Sequence, residues 1–258
     1  MIRAKSVAAL AVAATLGVGA ASAADLAPWP YTKAPALSYA TYNWAGLYVG
    51  GHLGGSSTNE SWTNTATTAA FGDLRPLQGF AQRGAGVFGG GQLGYNWQAS
   101  NYVFGLEGMV SGMDNHGSVL NTAFGAKDDV FSWRANLMAT VTGRVGYAAN
   151  NNLFYFKGGY AGINNHLAVS DVVGPFVGSG SATQWHNGWT VGAGWEYGLT
   201  QNWIVGLEYD YATFQTESYE LGRAVAPAVY TFDTKPHDLQ SVVARLSYKF
   251  SGPLVAKY

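Results

Sequence analysis

The sequence predicts an all-β fold: an eight-stranded antiparallel transmembrane up-and-down β-barrel. Three observations lead there. Charged residues make up 11% of the 258-residue chain, against roughly 25% in soluble domains, so much of the surface is not built for water. Aromatic residues reach 14% and glycines number 35, which suits strands and tight turns better than apolar helices. Beyond the N-terminal leader, no apolar stretch approaches the ~20 residues a spanning helix needs. A closed barrel, whose backbone polar groups all pair with one another, is then the architecture left for crossing a bilayer. The chain has no cysteine, and its 14 basic and 15 acidic residues nearly balance. That balance excludes a basic nucleic-acid surface, and no nucleic-acid partner is expected.

Residues 1–23 read as a secretory signal. Arg3 and Lys5 form the basic end, Val7 to Leu16 the apolar core, and Ala21-Ser22-Ala23 a small-residue cleavage site. Residues 24–43, with Pro28, Pro30 and Pro35, read as an extended periplasmic tether. Residues 44–250 form the barrel, and 251–258 a short periplasmic tail.

Period-2 alternation places strands at 44–55, 87–97, 102–112, 131–147, 153–162, 185–197, 203–213 and 239–250. The fourth is the clearest. Trp133, Ala135, Leu137, Ala139, Val141, Val145 and Tyr147 share one face, opposite Arg134, Asn136, Thr140, Thr142 and Arg144. In the first, Trp44 is out of phase with Leu47, Val49 and Leu53. The short connections are 98–101, 148–152 and 198–202. The long ones are 56–86, 113–130, 163–184 and 214–238. Short turns on the periplasmic side and long loops outside are the plan of a bacterial outer-membrane barrel.

Nine charges fall in these strands: Glu107, Arg134, Arg144, Lys157, Glu196, Glu208, Asp210, Arg245 and Lys249. All are expected on the face opposite the apolar one, forming a nearly neutral charge network that plugs the lumen. Arg144 and Lys157 should stand nearly opposite each other. Glu107 and Glu196 are offered by the flanking strands, and Glu208 could meet Arg245. An arginine on the lipid face would cost about 2–4 kcal/mol at the midplane. Aromatics gather at the periplasmic strand ends as an interfacial girdle: Trp44, Tyr95, Trp97, Tyr102, Phe104, Tyr147, Phe154, Phe156, Trp195, Tyr197, Trp203, Tyr248 and Phe250. A soluble sandwich would not need such a band.

The chain resembles the small outer-membrane β-barrel proteins of alphaproteobacteria, the porin-family or outer-membrane immunogenic proteins related to the OmpA-type transmembrane barrel. The resemblance spans essentially the whole chain. It rests on Ala24-Asp25-Leu26, on Asn43-Trp44-Ala45-Gly46-Leu47-Tyr48-Val49-Gly50-Gly51 and on Gly90-Gly91-Gln92-Leu93-Gly94-Tyr95-Asn96-Trp97-Gln98. Phe156-Lys157-Gly158-Gly159-Tyr160-Ala161 and Val243-Ala244-Arg245-Leu246-Ser247-Tyr248-Lys249-Phe250 complete it. It implies an abundant surface-exposed barrel that supports envelope integrity. Some members are reported to bind haem and some are called porins; the family offers no shared catalytic residues. Many such barrels end at the aromatic residue that the insertion machinery reads. Here Phe250, the expected insertion signal, is followed by Ser251–Tyr258.

Other motifs yield to plainer readings. Gly84-x-Gly86-x-x-Gly89 matches a phosphate-binding fingerprint, but no helix pattern follows it. His52, His116, His166, His186 and His237 are expected in loops or at outer strand ends, without ligand spacing for haem or a metal. Asp114 with His116 and Ser118, or His237 with Asp238, could suggest hydrolysis, but sequence neighbours establish no base–nucleophile geometry. The expected loops carry ten acidic residues, Glu60 among them, against five basic, which argues against a polyanion receptor. No cofactor and no catalysis are expected. The expected partners are outer-membrane lipid, lipopolysaccharide and the barrel-insertion machinery.

Overall fold

Strand-forming alternation runs much further along each hairpin than the lipid-facing segments require. In the computed structural model the described residues are 42–67, 77, 79–120, 129–171, 178–222 and 229–250. Every described residue lies in one compact unit. The signal, most of the tether and the C-terminal tail lie outside the described residues.

The strands are β1 (Gly46–Thr67), β2 (Gly79–Ala99), β3 (Tyr102–Leu120), β4 (Asp129–Ala149), β5 (Asn152–Asp171), β6 (Gly178–Gly198), β7 (Trp203–Phe214), β8 (Glu217–Gly222) and β9 (Val229–Lys249). Each pairs antiparallel with its neighbours. The ring runs β1 to β7, then β9, and closes through β1–β9. β8 pairs with the upper part of β9, and β7 with its lower part. β7 and β8 therefore form one interrupted stave, and the ring has eight positions. The expected loop 214–238 contains this extra strand, and the other expected loops are largely strand as well.

A spanning strand needs about 9–11 residues, yet β1 has 22 and β2, β4 and β9 have 21 each. The surplus extends the barrel beyond the lipid, and there the pattern inverts. On β1 the outward residues change from Leu47, Val49 and Leu53 to Ser57, Asn59, Ser61 and Thr63, while Trp62 turns inward. Once the exterior is water, apolar side chains belong inside. β4 and β9 achieve the inversion with bulges. The β4 register shifts between Ala135 and Leu137, so Trp133 and Ala135 are buried while Leu137 is exposed. The single apolar face expected for this strand is thus broken at Asn136. On β9 the shift falls near Asp238, whose φ is 55°.

Three short turns close the other end. Each finishes in an asparagine that clamps the next hairpin. Asn101, Asn151 and Asn202 accept from the backbone N–H of Ala148, Gly198 and Lys249 at 2.7, 2.9 and 2.7 Å. Their side-chain amides donate back to the carbonyls of the same three residues at 2.9, 3.1 and 2.8 Å.

The interior is filled in layers. At the turn end, Tyr42, Trp44, Val103, Ala148, Leu153, Tyr155 and Ile204 form an apolar cluster. Trp44, expected in the outer girdle, is fully buried, with its ring tilted against that of Tyr42 and the centroids 4.6 Å apart. Its out-of-phase position reflects a chain that enters the barrel mouth before β1 begins. The other girdle aromatics face outward, among them Trp97, Tyr102, Tyr147, Phe154, Phe156 and Trp203. A polar layer follows upward, and above it a large apolar core built on Trp62, Phe131, Trp133, Leu167, Phe214, Tyr219 and Phe232. Trp62, Phe131 and Phe232 meet edge-on at 5.5–5.8 Å, the geometry aromatic rings prefer.

Candidate functional site: the buried charge network

Alternation on seven staves aims polar side chains at one height of the lumen. Arg144 and Lys157 are register partners on β4 and β5, so two like charges stand side by side and each requires an acid. Arg144 Nη1 lies 3.0 Å from Glu196 Oε1, and its Nε donates to Asn96 Oδ1 at 2.9 Å. Lys157 Nζ lies 2.6 Å from Glu208 Oε1 and 3.3 Å from Asp210 Oδ1. Arg245 from β9 sits between Glu107 and Glu208 and donates to both, reaching Glu107 Oε1 at 3.1 Å. All seven charged residues, and Asn96 with them, are buried. Such burial is tolerable because each charge has an opposite charge beside it, although Glu196 Oε2, Asp210 Oδ1 and Arg245 Nε make no hydrogen bond.

Two tyrosines complete the layer. Tyr48 Oη donates to Glu107 at 2.7 Å and Tyr155 Oη to Glu208 at 2.5 Å. The Arg144 guanidinium lies 4.7 Å from the Tyr48 ring centre and 5.1 Å from that of Tyr155, within cation–π range. Each tyrosine crosses the pleat over a register-partner glycine, Gly94 or Gly194. A Cβ at Gly94 would stand 2.1 Å from Tyr48 Oη, and one at Gly194 2.4 Å from Tyr155. Those glycines leave the space through which the rings reach the charges. Above the network, His52 is held between Gln92 and Ser111, at 2.8 Å on each side.

Two expected members lie elsewhere. Arg134 faces outward with its side chain 61% exposed, 3.4 Å from the equally exposed Asp114. The β4 bulge at Asn136 turns it out of the lumen. Lys249 sits below the network at the turn-end mouth, over the Tyr42 ring at 4.6 Å and donating to the Asn43 carbonyl. The layer therefore holds four acids, Glu107, Glu196, Glu208 and Asp210, with three bases, Arg144, Lys157 and Arg245.

Sequence reasoning missed Tyr48, Tyr155 and Asn96. The signal was their parity: all three lie on inward positions of their strands. Glu60, read as a solvated loop residue, is fully buried in the upper core. Burial raises its pKa from 4.5 to about 8, and the hydrogen bond from Asn165 pulls the other way. Asn165 donates to it at 3.2 Å. Two histidines expected at the rim are also interior: His52, and His186, which is buried 2.6 Å from Tyr219 Oη. Outside, His116 approaches Asp114 at 3.6 Å. His237 lies 2.8 Å from Asp238, whose carboxyl is held below its ordinary range by hydrogen bonds from Tyr211 and His237. Among the described residues no group of three or more His, Asp or Glu is placed to hold a metal ion. The glycine fingerprint 84–89 lies within β2.

Phe250 follows β9, exposed on the outward face, and its N–H bonds to the Leu47 carbonyl at 2.9 Å. Phe250→Ser is expected to lower outer-membrane levels more than deletion of Ser251–Tyr258. Quantitative surface labelling checks this; equal levels for Phe250→Ser and wild type would remove the residue as an insertion signal.

The chain matches the family described as "Outer membrane protein beta-barrel domain" over residues 9–250. It is 30% identical over 256 residues to the 31 kDa outer-membrane immunogenic protein of Brucella melitensis biotype 1, covering 93% of this chain and 98% of that protein. It is 35% identical over 184 residues to the 22 kDa outer membrane protein of Rhizobium leguminosarum bv. viciae, covering 69% and 68%. Among solved structures it is similar to OprG from Pseudomonas aeruginosa, with TM-score 0.46, 13% identity and coverage of 81% and 97%. It is also similar to the protease OmpT from Escherichia coli, with TM-score 0.47, 10% identity and coverage of 80% and 97%. The family match over nearly all of the barrel, together with full-length relatives from outer membranes, establishes that the chain belongs to the outer-membrane β-barrel protein family and resides in the outer membrane.

Proposed function

We propose that this protein is a structural, non-conducting surface barrel that supports envelope integrity. The observation that carries this reading is the filled lumen: an apolar cluster at the turn end, a paired charge layer, and an apolar core in the extended half. An eight-stranded barrel is narrow enough for side chains to fill it, and here they do so at three heights. Water-filled porins keep a polar channel instead. The charges then serve cohesion, tying β3, β4, β5, β6, β7 and β9 together across the barrel.

Deleting the gene in the source bacterium is expected to sensitise cells to bile salts and to large hydrophobic antibiotics, with uptake of small hydrophilic solutes unchanged. Complementation with the wild-type chain restores resistance. Slowed uptake of small solutes, with the barrier intact, would favour a porin and contradict this reading.

A further inference from the structure

The outward surface is not uniform above the lipid-facing band, and its charge is sorted to one side. On β3 the outward residues Tyr102, Phe104, Leu106 and Val110 give way to Asp114 and His116. Asp114 and His116 lie twelve and fourteen residues beyond Tyr102, which at ~3.3 Å rise and ~40° tilt is a climb of about 30 and 35 Å, just past the apolar band of about 25 Å in such barrels. The change at 114–116 therefore falls at headgroup level. There a row of nitrogen-bearing side chains runs across neighbouring strands. His116 on β3 is the register partner of Arg134 on β4, and Arg134 is the register partner of His166 on β5. On β2, Ala85 pairs with His116, and exposed Arg83 lies two residues above it on the same outward face. Cross-strand neighbours hold their Cβ atoms about 4.5–5.5 Å apart, close enough for several to reach one small anion. Asp114 is the row's one acid, 3.4 Å from Arg134. On β8 and β9, by contrast, the outward charges are mainly acidic, Glu220, Asp233 and Asp238 against Lys235.

We propose that this face of β2–β5 is a binding site for the phosphate groups of lipopolysaccharide, the anionic glycolipid of the outer leaflet. Two exposed guanidiniums suit bidentate phosphate recognition, and the imidazoles add donors between them. The acidic total over the expected loops hides this, because a sum is blind to which side each charge faces. The proposal requires the extended strand ends to face outward. Binding in micelles reads it independently of any role in envelope integrity.

The experiment uses the barrel in detergent micelles, its folding verified by heat-modifiable migration, and lipid A carrying its phosphates as the probe. Arg83→Ser/Arg134→Ser is expected to bind about tenfold more weakly than wild type, the loss of one to two charge-assisted contacts. Dephosphorylated lipid A should bind both proteins equally and weakly. Asp114→Asn, which removes the competing acid, should tighten binding of the phosphorylated probe. Equal binding of the phosphorylated probe by wild type and the double variant overturns the site, as does equal binding of the two lipids by wild type. Weaker binding by Asp114→Asn would also contradict it.

Discussion

Arg245→Met lowers the unfolding free energy of the barrel by roughly 3–5 kcal/mol, the usual consequence of removing one partner from a buried charge cluster. Arg245 touches both Glu107 and Glu208 and approaches Glu196 at 3.8 Å. Without it, four buried acids face two bases. Glu107 keeps the Tyr48 hydrogen bond, but its remaining bases stand far off, 3.8 Å for Arg144 and 3.9 Å for Lys157. The methionine fills the space, so the loss reports charge rather than a cavity. Urea unfolding in micelles checks the size. Arg134→Met, on the exposed surface pair, should change stability by less than about 0.5 kcal/mol. Adding Glu107→Gln to Arg245→Met should recover part of the loss, since an unpaired carboxylate is its source. A loss no larger than that of Arg134→Met would mean the network carries little cohesion.

Glu60→Gln stabilises the barrel above neutral pH and flattens its pH dependence. Glu60 ionises near 4.5 in the unfolded chain but near 8 in the fold. Below about pH 4.5 it is neutral in both states and imposes no cost. As pH rises from there toward 8, the unfolded chain releases a proton that the folded chain retains, so stability falls through that window and levels off above it. A difference of this size corresponds to a cost on the order of 4–5 kcal/mol at its full extent. Glutamine keeps the shape and can still accept from Asn165 without the charge. Unfolding at pH 5, 7 and 9 reads the effect: a wild-type decline that Glu60→Gln lacks. Parallel declines for both proteins would place Glu60 in a wetter environment than the upper core provides.

The lower half of the barrel was legible because one rule governs it: lipid outside, polar lumen inside. The parity of Arg144, Lys157, Glu107 and Arg245 follows directly from alternation with Val145, Phe156, Leu106 and Leu246. The upper half follows the opposite rule. Trp62 and Glu60 lie in a stretch that reads as loop when apolar-outward alternation is the template, yet they are inward positions of a strand in water. Bulges added a second obstacle. One extra residue at Asn136 inverts parity, and it separates Arg134 from Arg144 although their spacing of ten positions preserves the phase on paper. Trp44 was misplaced for a related reason, since a residue ahead of the first ladder bond has no strand phase. Pairings within the network, such as Arg144 with Glu196 and Lys157 with Glu208, depend on barrel stagger, which no single strand encodes.

Planar-bilayer recording of the purified, folded protein tests the proposed closed lumen most directly. The expected trace is a flat baseline at 1 M KCl across about ±100 mV, with barrel insertion confirmed by reconstitution and heat-modifiable migration. Steady, reproducible single-channel steps from the wild-type protein would contradict a closed lumen.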